Sequence, residues 1–441
     1  MHPARPLLVR APRIITCDTD AAQCDVTFER LGMIEDGALL ALGGRIAAIG
    51  TRREVEHQLV DFDALVERAM RAAGLGEALI AGRMRTSTMP DWRSQILELD
   101  LDGIVVPGLV DAHAHPLYAG DREADFAAQT RGAAAPLGML HTIQRTRAAL
   151  LEPESFWDDI LRERLYLILK HGTTTLETKT GYALHKPGED ALLDVIRAHR
   201  DEPDLPQLIS TFLGPHTLPP EFADEVRYMD YVIEQCLPTA RAHGAVYADA
   251  FCEPGWFSPP QTRRYLEAAR AHGLRLRVHC DELSAGGAAT MAAQVGVDAV
   301  DHCNYIAPDD VRAIVAADIV TVACPATIAY LDLAGRAPVR ALLEGGGRVA
   351  IASDYNPGTS PCFNLATVAF FGRALFGLSA AEALDGVTRS AARSLRADAG
   401  SLRLGGPADF ACLAIESPQE FGWQFGGNLA SVVVRAGRHV A

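Results

Sequence analysis

The stretch Asp111-Ala-His-Ala-His115, with two histidines one residue apart, follows directly on the apolar run Gly103-Ile-Val-Val-Pro-Gly-Leu-Val110. Side chains i and i+2 of a strand share a face, so these imidazoles aim into one small volume. Histidines and acids recur where other strand-like runs end: Gly214-Pro-His216, His279-Cys-Asp-Glu282, Asp301-His302 and Ser353-Asp354-Tyr-Asn356. Any one of these alone reads most simply as a capped or hydrogen-bonded strand end. Five runs delivering them to one rim point to a divalent metal site. Neutral imidazole and carboxylate are ordinary ligands for such an ion, and a hydrolytic site keeps one position open for water. His113, His115, His279 and Asp354 would leave that opening. A bound ion would lower the pKa of its water toward ~7. Glu282, three residues past His279, is placed to shuttle protons, and His302 to polarise a carbonyl or steady an oxyanion. Arg122, seven residues past His115, offers a planar fork that takes a carboxylate bidentately. The alternative for Arg122 is an ion pair with its neighbour Asp121 or Glu123.

Positioning such a rim requires many strands that end on one side. Strands are expected at Ile104–His115, Thr173–Thr180, Leu208–Leu213, Val246–Glu253, Leu274–Glu282, Ala299–Cys303, Ile319–Cys324 and Arg348–Asp354, separated by amphipathic helical stretches. Eight β/α units predict an α/β fold, a closed (β/α)₈ TIM-like barrel with its chemistry at the C-terminal ends of the strands. A doubly wound open sheet is the rival, but no G-x-G-x-x-G follows the first strand. Short strand-like runs in the first fifty and last forty residues predict a small β-sandwich built from both ends of the chain. The domain reading is therefore 1–103 for the N-terminal part of the β domain, 104–400 for the barrel and 401–441 for the C-terminal part. Within the first lies a helical insertion at about 53–97, with a helix expected over Ala64–Gly74.

The bulk numbers narrow the partners. A chain of 441 residues with a formal net charge of −15 is a poor match for nucleic acid or an anionic membrane. No apolar run is long enough to span a bilayer, and the start lacks a signal-peptide core. Nine dispersed cysteines without a CxxC pair read as reduced thiols of a cytoplasmic protein, not as a disulfide framework or structural zinc cluster.

The motifs together resemble the metal-dependent amidohydrolase superfamily and, within it, the imidazolonepropionase family. The segments that carry the resemblance are Pro107–His115, Gly120-Asp-Arg-Glu123, Glu177-Thr-Lys-Thr-Gly-Tyr182, Thr211-Phe-Leu-Gly-Pro-His216, Asp249-Ala-Phe-Cys-Glu253, Val278–Glu282, Val300-Asp-His302 and Ser353–Pro361. The H-x-H is common to the superfamily; the Gly-Tyr, Phe-Leu-Gly-x-His and Asp-x-Asn-Pro-Gly-Thr-Ser-Pro segments are narrower. The resemblance implies one zinc or iron ion held by His113, His115, His279 and Asp354. It implies catalysis by Glu282, His302 and Asp354, and substrate contacts from Arg122, Tyr182, His216 and Asn356. Tyr182 as a packed rim aromatic and Asn356 as a turn residue are the plainer readings. Lys179 is expected to pair with Glu177 or Asp249.

The implied activity is hydrolysis of a small anionic cyclic amide, 4-imidazolone-5-propanoate, to N-formimino-L-glutamate in histidine degradation. The alternatives are a related hydantoin- or thiohydantoin-type propionate, or a deaminase or deiminase of the same superfamily. A homodimer is compatible with the resemblance. The segment Arg131–Met139 lacks the tyrosine and the Gly-Gly-Gly loop of the family pattern, so the lid over the substrate is rebuilt and the exact ring stays open.

Overall fold

The computed structural model describes residues 5–61, 64–65, 67–68, 71 and 96–441. From the N-terminal segment come β1 (Leu7–Ile15), β2 (Met33–Leu42), β3 (Arg45–Thr51), β4 (Leu97–Asp100) and β5 (Ile104–Pro107). The central strands are β6 (Leu109–Asp111), β7 (Thr173–Lys179), β8 (Gln207–Phe212), β9 (Tyr247–Ala248), β10 (Phe251–Cys252), β11 (Arg275–Cys280), β12 (Ala299–His302), β13 (Val320–Ala323) and β14 (Arg348–Ile351). The C-terminal segment adds β15 (Phe410–Leu413), β16 (Ala430–Arg435) and β17 (Arg438–His439).

Strands β6 to β14 form a parallel sheet in the order β14-β13-β12-β11-β9-β8-β7-β6, with β10 also pairing β11. A parallel bridge between Ala114 and Tyr355 closes it into the expected barrel. At that seam the Asp354 N–H donates to the His113 carbonyl and the His115 N–H to the Tyr355 carbonyl. Asp111 strengthens the closure by accepting the Ser353 N–H at 3.0 Å and its hydroxyl at 2.5 Å.

The run Ile104–His115 is not one strand. A Cβ on Gly108 would lie 2.0 Å from Thr174 Oγ1, so only glycine lets the chain pass there. Before that point, β5 pairs β1 and β15 in the other sheet; after it, β6 pairs β7 in the barrel. The two sheets are thus joined through one short run with no intervening loop.

The expected β-sandwich is hydrogen-bonded as a single mixed sheet, β17-β16-β15-β5-β1-β2-β3, with β4 also on β1. Leu7, Val9, Leu39, Phe410 and Val434 pack on one side of it, while Leu8, Ala38, Leu40 and Ala48 pack with Val55 and Leu65 of the insertion. The insertion begins in a helix, Arg52–Gln58, whose Thr51/Glu54 capping box satisfies its first N–H groups. Residues 64, 65, 67, 68 and 71 of the helix expected at Ala64–Gly74 are helical; the rest of that reading lies outside the described residues.

The barrel is filled in layers, as alternate inward positions of its strands require. Val110, Ile209, Tyr247, Ala299, Val320, Val322 and Ala350 form an apolar plug. Charged residues lie above it and histidines above those. Among the described residues no helix is long and apolar enough to cross a membrane. All nine cysteines are unpaired, and seven of them are buried.

Candidate active site

Inward strand positions bring Glu177 and Lys179 of β7, Arg277 of β11 and Asp301 of β12 together with Asp249, which follows β9. All five side chains are fully buried. Lys179 Nζ donates to Asp249 Oδ2 at 2.6 Å and Glu177 Oε1 at 2.9 Å, and reaches Asp301 Oδ2 at 3.3 Å. The lysine thus pairs with both of its expected acids and with a third. Arg277 Nη2 donates to Asp301 Oδ1 and to the Ala112 carbonyl, both at 2.8 Å, and its Nε lies 3.1 Å from Glu177 Oε1. Two cations among three carboxylates keep each charge countered where an unpaired one would be costly. Burial opposes the charged form of Asp249, yet the charges of His279 and Lys179 hold its carboxyl well below the usual range.

This layer orients the histidines above it. His113 Nδ1–H donates to Asp301 Oδ2 at 2.8 Å, and His279 Nδ1 sits 3.1 Å from Asp249 Oδ2. His113 Nε2 is thereby turned toward His115 Nε2, 3.1 Å away, with Asp354 Oδ1 at 3.4 Å and 3.5 Å from the two. One nitrogen from each of His113, His115 and His279 lies within 4.8 Å of the others. Burial, reinforced by Lys179 and the neighbouring histidines, lowers the proton affinity of His113 and His115 well below the usual range. Facing lone pairs that resist protonation repel each other unless a cation lies between them. A tetrahedral ion with bonds of about 2.0–2.1 Å sets its ligands about 3.3 Å apart, close to the spacing here. The donor set fits a metal ion.

Two left-handed residues complete the rim. Successive strand side chains point to opposite faces, yet Asp301 and His302 both serve the site because His302 turns at φ 68°. Asp354 does the same at φ 49°. Its Oδ2 accepts the Thr327 hydroxyl at 2.7 Å, and burial pushes its carboxyl up to about 6. His302 Nε2 is 3.6 Å from Glu282 Oε2, and neither ring nitrogen has a hydrogen-bond partner among the described residues. Burial, then the charge of His279, lowers His302 to about 3. Burial, then the charges of Asp354 and Glu253, pushes the Glu282 carboxyl well above its usual range. Glu253 also accepts the Glu282 N–H at 2.9 Å and the Leu283 N–H at 3.2 Å, fixing the loop that carries Glu282.

A cavity of about 200 Å³ opens over this cluster, and all the remaining candidate residues reach it. His216 Nδ1–H donates to the Gly181 carbonyl at 2.9 Å, and its ring stacks on His115 at 5.4 Å. That tautomer leaves His216 Nε2 as an acceptor. Tyr182 is 5% exposed and burial raises its phenol, so it stays protonated as a donor at neutral pH. Arg122 departs from the pairing weighed for it: its Nε donates to Asp125, not to Asp121 or Glu123. Asn356 departs further. Its Nδ2 donates to the Asp354 carbonyl (2.6 Å) and Thr359 Oγ1 (2.7 Å), while Oδ1 accepts the N–H groups of Gly358 and Thr359 (both 2.8 Å). Both donors and both lone pairs of this amide are taken by its own loop.

Sequence reasoning gave no part to Arg277, Asp125 or the apolar wall formed by Met139, Phe251, Trp256, Leu283 and Leu331. Arg277 had a signal, since it stands two residues before His279 on the same strand face. The wall had none, because apolar rim residues look like core.

Residues 104–439 match the amidohydrolase family. The chain is 38% identical over 384 residues to imidazolonepropionase of Methylobacterium sp. (strain 4-46), covering 85% of this chain and 94% of that one. It is 39% identical over 340 residues to imidazolonepropionase of Rubrobacter xylanophilus, covering 75% and 80%. Solved structures with a similar fold include an adenosine deaminase from Xanthomonas campestris with bound zinc (TM-score 0.64, 16% identity, 99% of this chain and 93% of that one). A guanine deaminase from C. acetobutylicum with bound guanine is another (TM-score 0.65, 14% identity, 99% and 100%).

Proposed function

The chain belongs to the amidohydrolase family, and from that membership we propose that it opens the ring of 4-imidazolone-5-propanoate to give N-formimino-L-glutamate, a step of histidine degradation. It is a hydrolase acting on C–N bonds in cyclic amides. The observation that carries the substrate reading is Arg122. Its terminal guanidinium nitrogens have no acceptor among the described residues, and it lines the same 200 Å³ cavity as His115, His279 and Asp354. In a protein of net charge −15, a free cationic edge there is where a short carboxylate tail would be held.

We assign His113, His115, His279 and Asp354 as the ligands of one divalent ion, zinc or iron. When bound, such an ion supplies Lewis acidity and a water of lowered pKa. Arg122 binds the carboxylate tail, and the ring lies along Phe251 and Trp256. Tyr182 donates to the ring's polar edge and His216 Nε2 accepts from a ring N–H. Asn356 shapes the wall through its loop. Neutral His302 donates to the carbonyl oxygen as negative charge gathers on it. Asp354 Oδ1 aligns the attacking water. Glu282 takes the proton of that water and returns it to the ring nitrogen as the C–N bond breaks, a duty that suits its raised proton affinity. The oxygen ends in the new carboxylate, one proton of the water on the departing nitrogen, and the other in solvent as the new acid ionises. A cytoplasmic setting is supported by the nine unpaired cysteines.

Replacing Arg122 by Met tests the reading. KM should rise at least about tenfold for the acid-tailed ring and little for the same ring without its carboxylate. Equal losses on both rings would remove the case for an acid-tailed substrate.

A further inference from the structure

The segment 131–136 is a run of six exposed residues ahead of the helix Gly138–Ala149. That helix has no side-chain cap of its own: its N-cap is Leu137, and Gly138 turns at φ 66°. The missing cap comes from elsewhere. Asp125, on the preceding helix Glu123–Gln129, accepts the Leu137 N–H on Oδ1 at 2.7 Å and the Gly138 N–H on Oδ2 at 3.0 Å. The same Oδ2 accepts Arg122 Nε. Asp125 is 4% exposed and its three donors are half-buried, so the bonds are partly shielded from water, where charge-assisted bonds gain strength.

One carboxylate therefore closes the rebuilt rim segment and holds one edge of the guanidinium. Its grip on Nε turns the terminal nitrogens toward the cavity, where the Gly358 backbone comes so close that a Cβ there would lie 3.0 Å from Arg122 Nη1. The residue after Gly138, Met139, is a wall of that cavity. The same short helix is tied to the helix that follows β13, Pro325–Leu331, by Gln129 Nε2 donating to the Tyr330 carbonyl at 2.7 Å and by Phe126 stacking on Tyr330 at 4.9 Å. Next to Tyr330, Leu331 is another cavity wall.

We infer that Asp125 is a positioning residue for substrate choice: it couples closure of the 131–139 segment to the orientation of Arg122, and so sets the preference for a carboxylate-tailed ring. This rests on the reading of Arg122 above. An arginine freed from Asp125 would regain its rotamers, and ordering them again on binding would weaken the hold on the tail. The apolar wall would still hold the ring.

The test pairs two measurements that need no turnover. Calorimetric titration compares imidazole-4-propionate with 4-ethylimidazole, the same ring with and without the carboxylate. Trypsin cleavage at Arg131 reports closure of the segment. For Asp125→Ala the expected result is a loss of about tenfold or more in the affinity margin between the two ligands, with cleavage at Arg131 faster by a similar factor. Asp125→Asn keeps an acceptor for the Leu137 N–H but not the charge, so it should lose most of the margin and little of the protection. In an Arg122→Met background, Asp125→Ala should take nothing further from the margin. Unchanged cleavage in Asp125→Ala, an equal loss on both ligands, or additive effects in the double variant would overturn the coupling. A wild-type protein with no margin for the tail would instead overturn the reading of Arg122, and cleavage at Arg131 would still decide whether Asp125 closes the segment.

Discussion

Asp249 Oδ2 lies 2.6 Å from Lys179 Nζ and 3.1 Å from His279 Nδ1, so a single carboxylate oxygen serves both the buried lysine and a candidate ligand histidine. Lys179 thereby helps fix the ring of His279, although it stands below the cavity. Replacing Lys179 by Met would leave Glu177, Asp249 and Asp301 facing Arg277 alone. Removing one partner from such a buried network costs about 3–5 kcal/mol, and a loosened ligand support weakens metal binding about 10–100-fold. Urea unfolding and metal content after dialysis should both fall. A variant with normal stability and full metal would show that the layer neither supports the fold nor orients His279.

Removing a ligand should act more locally. His279→Ala takes out one of four proposed ligands and frees Asp249 to remain with Lys179, so the fold should survive. Elemental analysis should find about one equivalent of metal in the wild-type protein and little in the variant. Retention of both metal and activity would sink the ligand assignment.

Glu282 separates chemistry from binding. The proposed proton transfer belongs to the transition state, so Glu282→Gln should lower kcat on the order of 10²-fold or more while metal content and KM stay near normal. Near-normal kcat would move the proton shuttle to another group.

Acid should destabilise the protein through its buried neutral histidines. Burial and the His279 charge lower His216 to about 4, and burial lowers His302 to about 3. An unfolded chain takes up these protons near pH 6.5, before the folded one does, so the histidines' share of the stability is full above that pH. It falls as pH drops toward 4, on the order of 3 kcal/mol for His216 alone at the bottom of that window. Buried carboxyls such as Asp354, raised to about 6, gain stability as pH falls and offset part of this loss, so the reading is the difference between two proteins. Urea midpoints from pH 7.5 down to 4.5 should fall more steeply in the wild-type protein than in His216→Phe, and equal slopes would contradict the neutral, buried state of His216.

The strand-end motifs were legible because each is a local pattern: a period of two at His113 and His115, or polar residues where an apolar run stops. The barrel was legible for the same reason, from eight apolar runs with helical stretches between. What lay beyond reach depends on contacts made only once the barrel closes. Arg277 meets Glu177 across 100 positions of sequence, and nothing local shows that pairing. Gly108 reads as a pause within a strand until Thr174 is seen against it. For Asn356 both a substrate contact and a turn residue were open, and the four bonds that occupy its amide arise only in the folded turn. Arg122 lines the cavity, but its partner Asp125 was hidden by nearer acids that share its charge.

Opening of an acid-tailed cyclic amide in this cavity, with the help of a bound ion, can be followed from start to product. The most direct measurement is incubation of the purified protein with 4-imidazolone-5-propanoate, following ring loss and product together, before and after chelation. The expected result is one N-formimino-L-glutamate per ring consumed, no ammonia, loss of activity on chelation and its return with added zinc or iron. Stoichiometric ammonia release, or an intact ring in the presence of metal-replete protein, would contradict it.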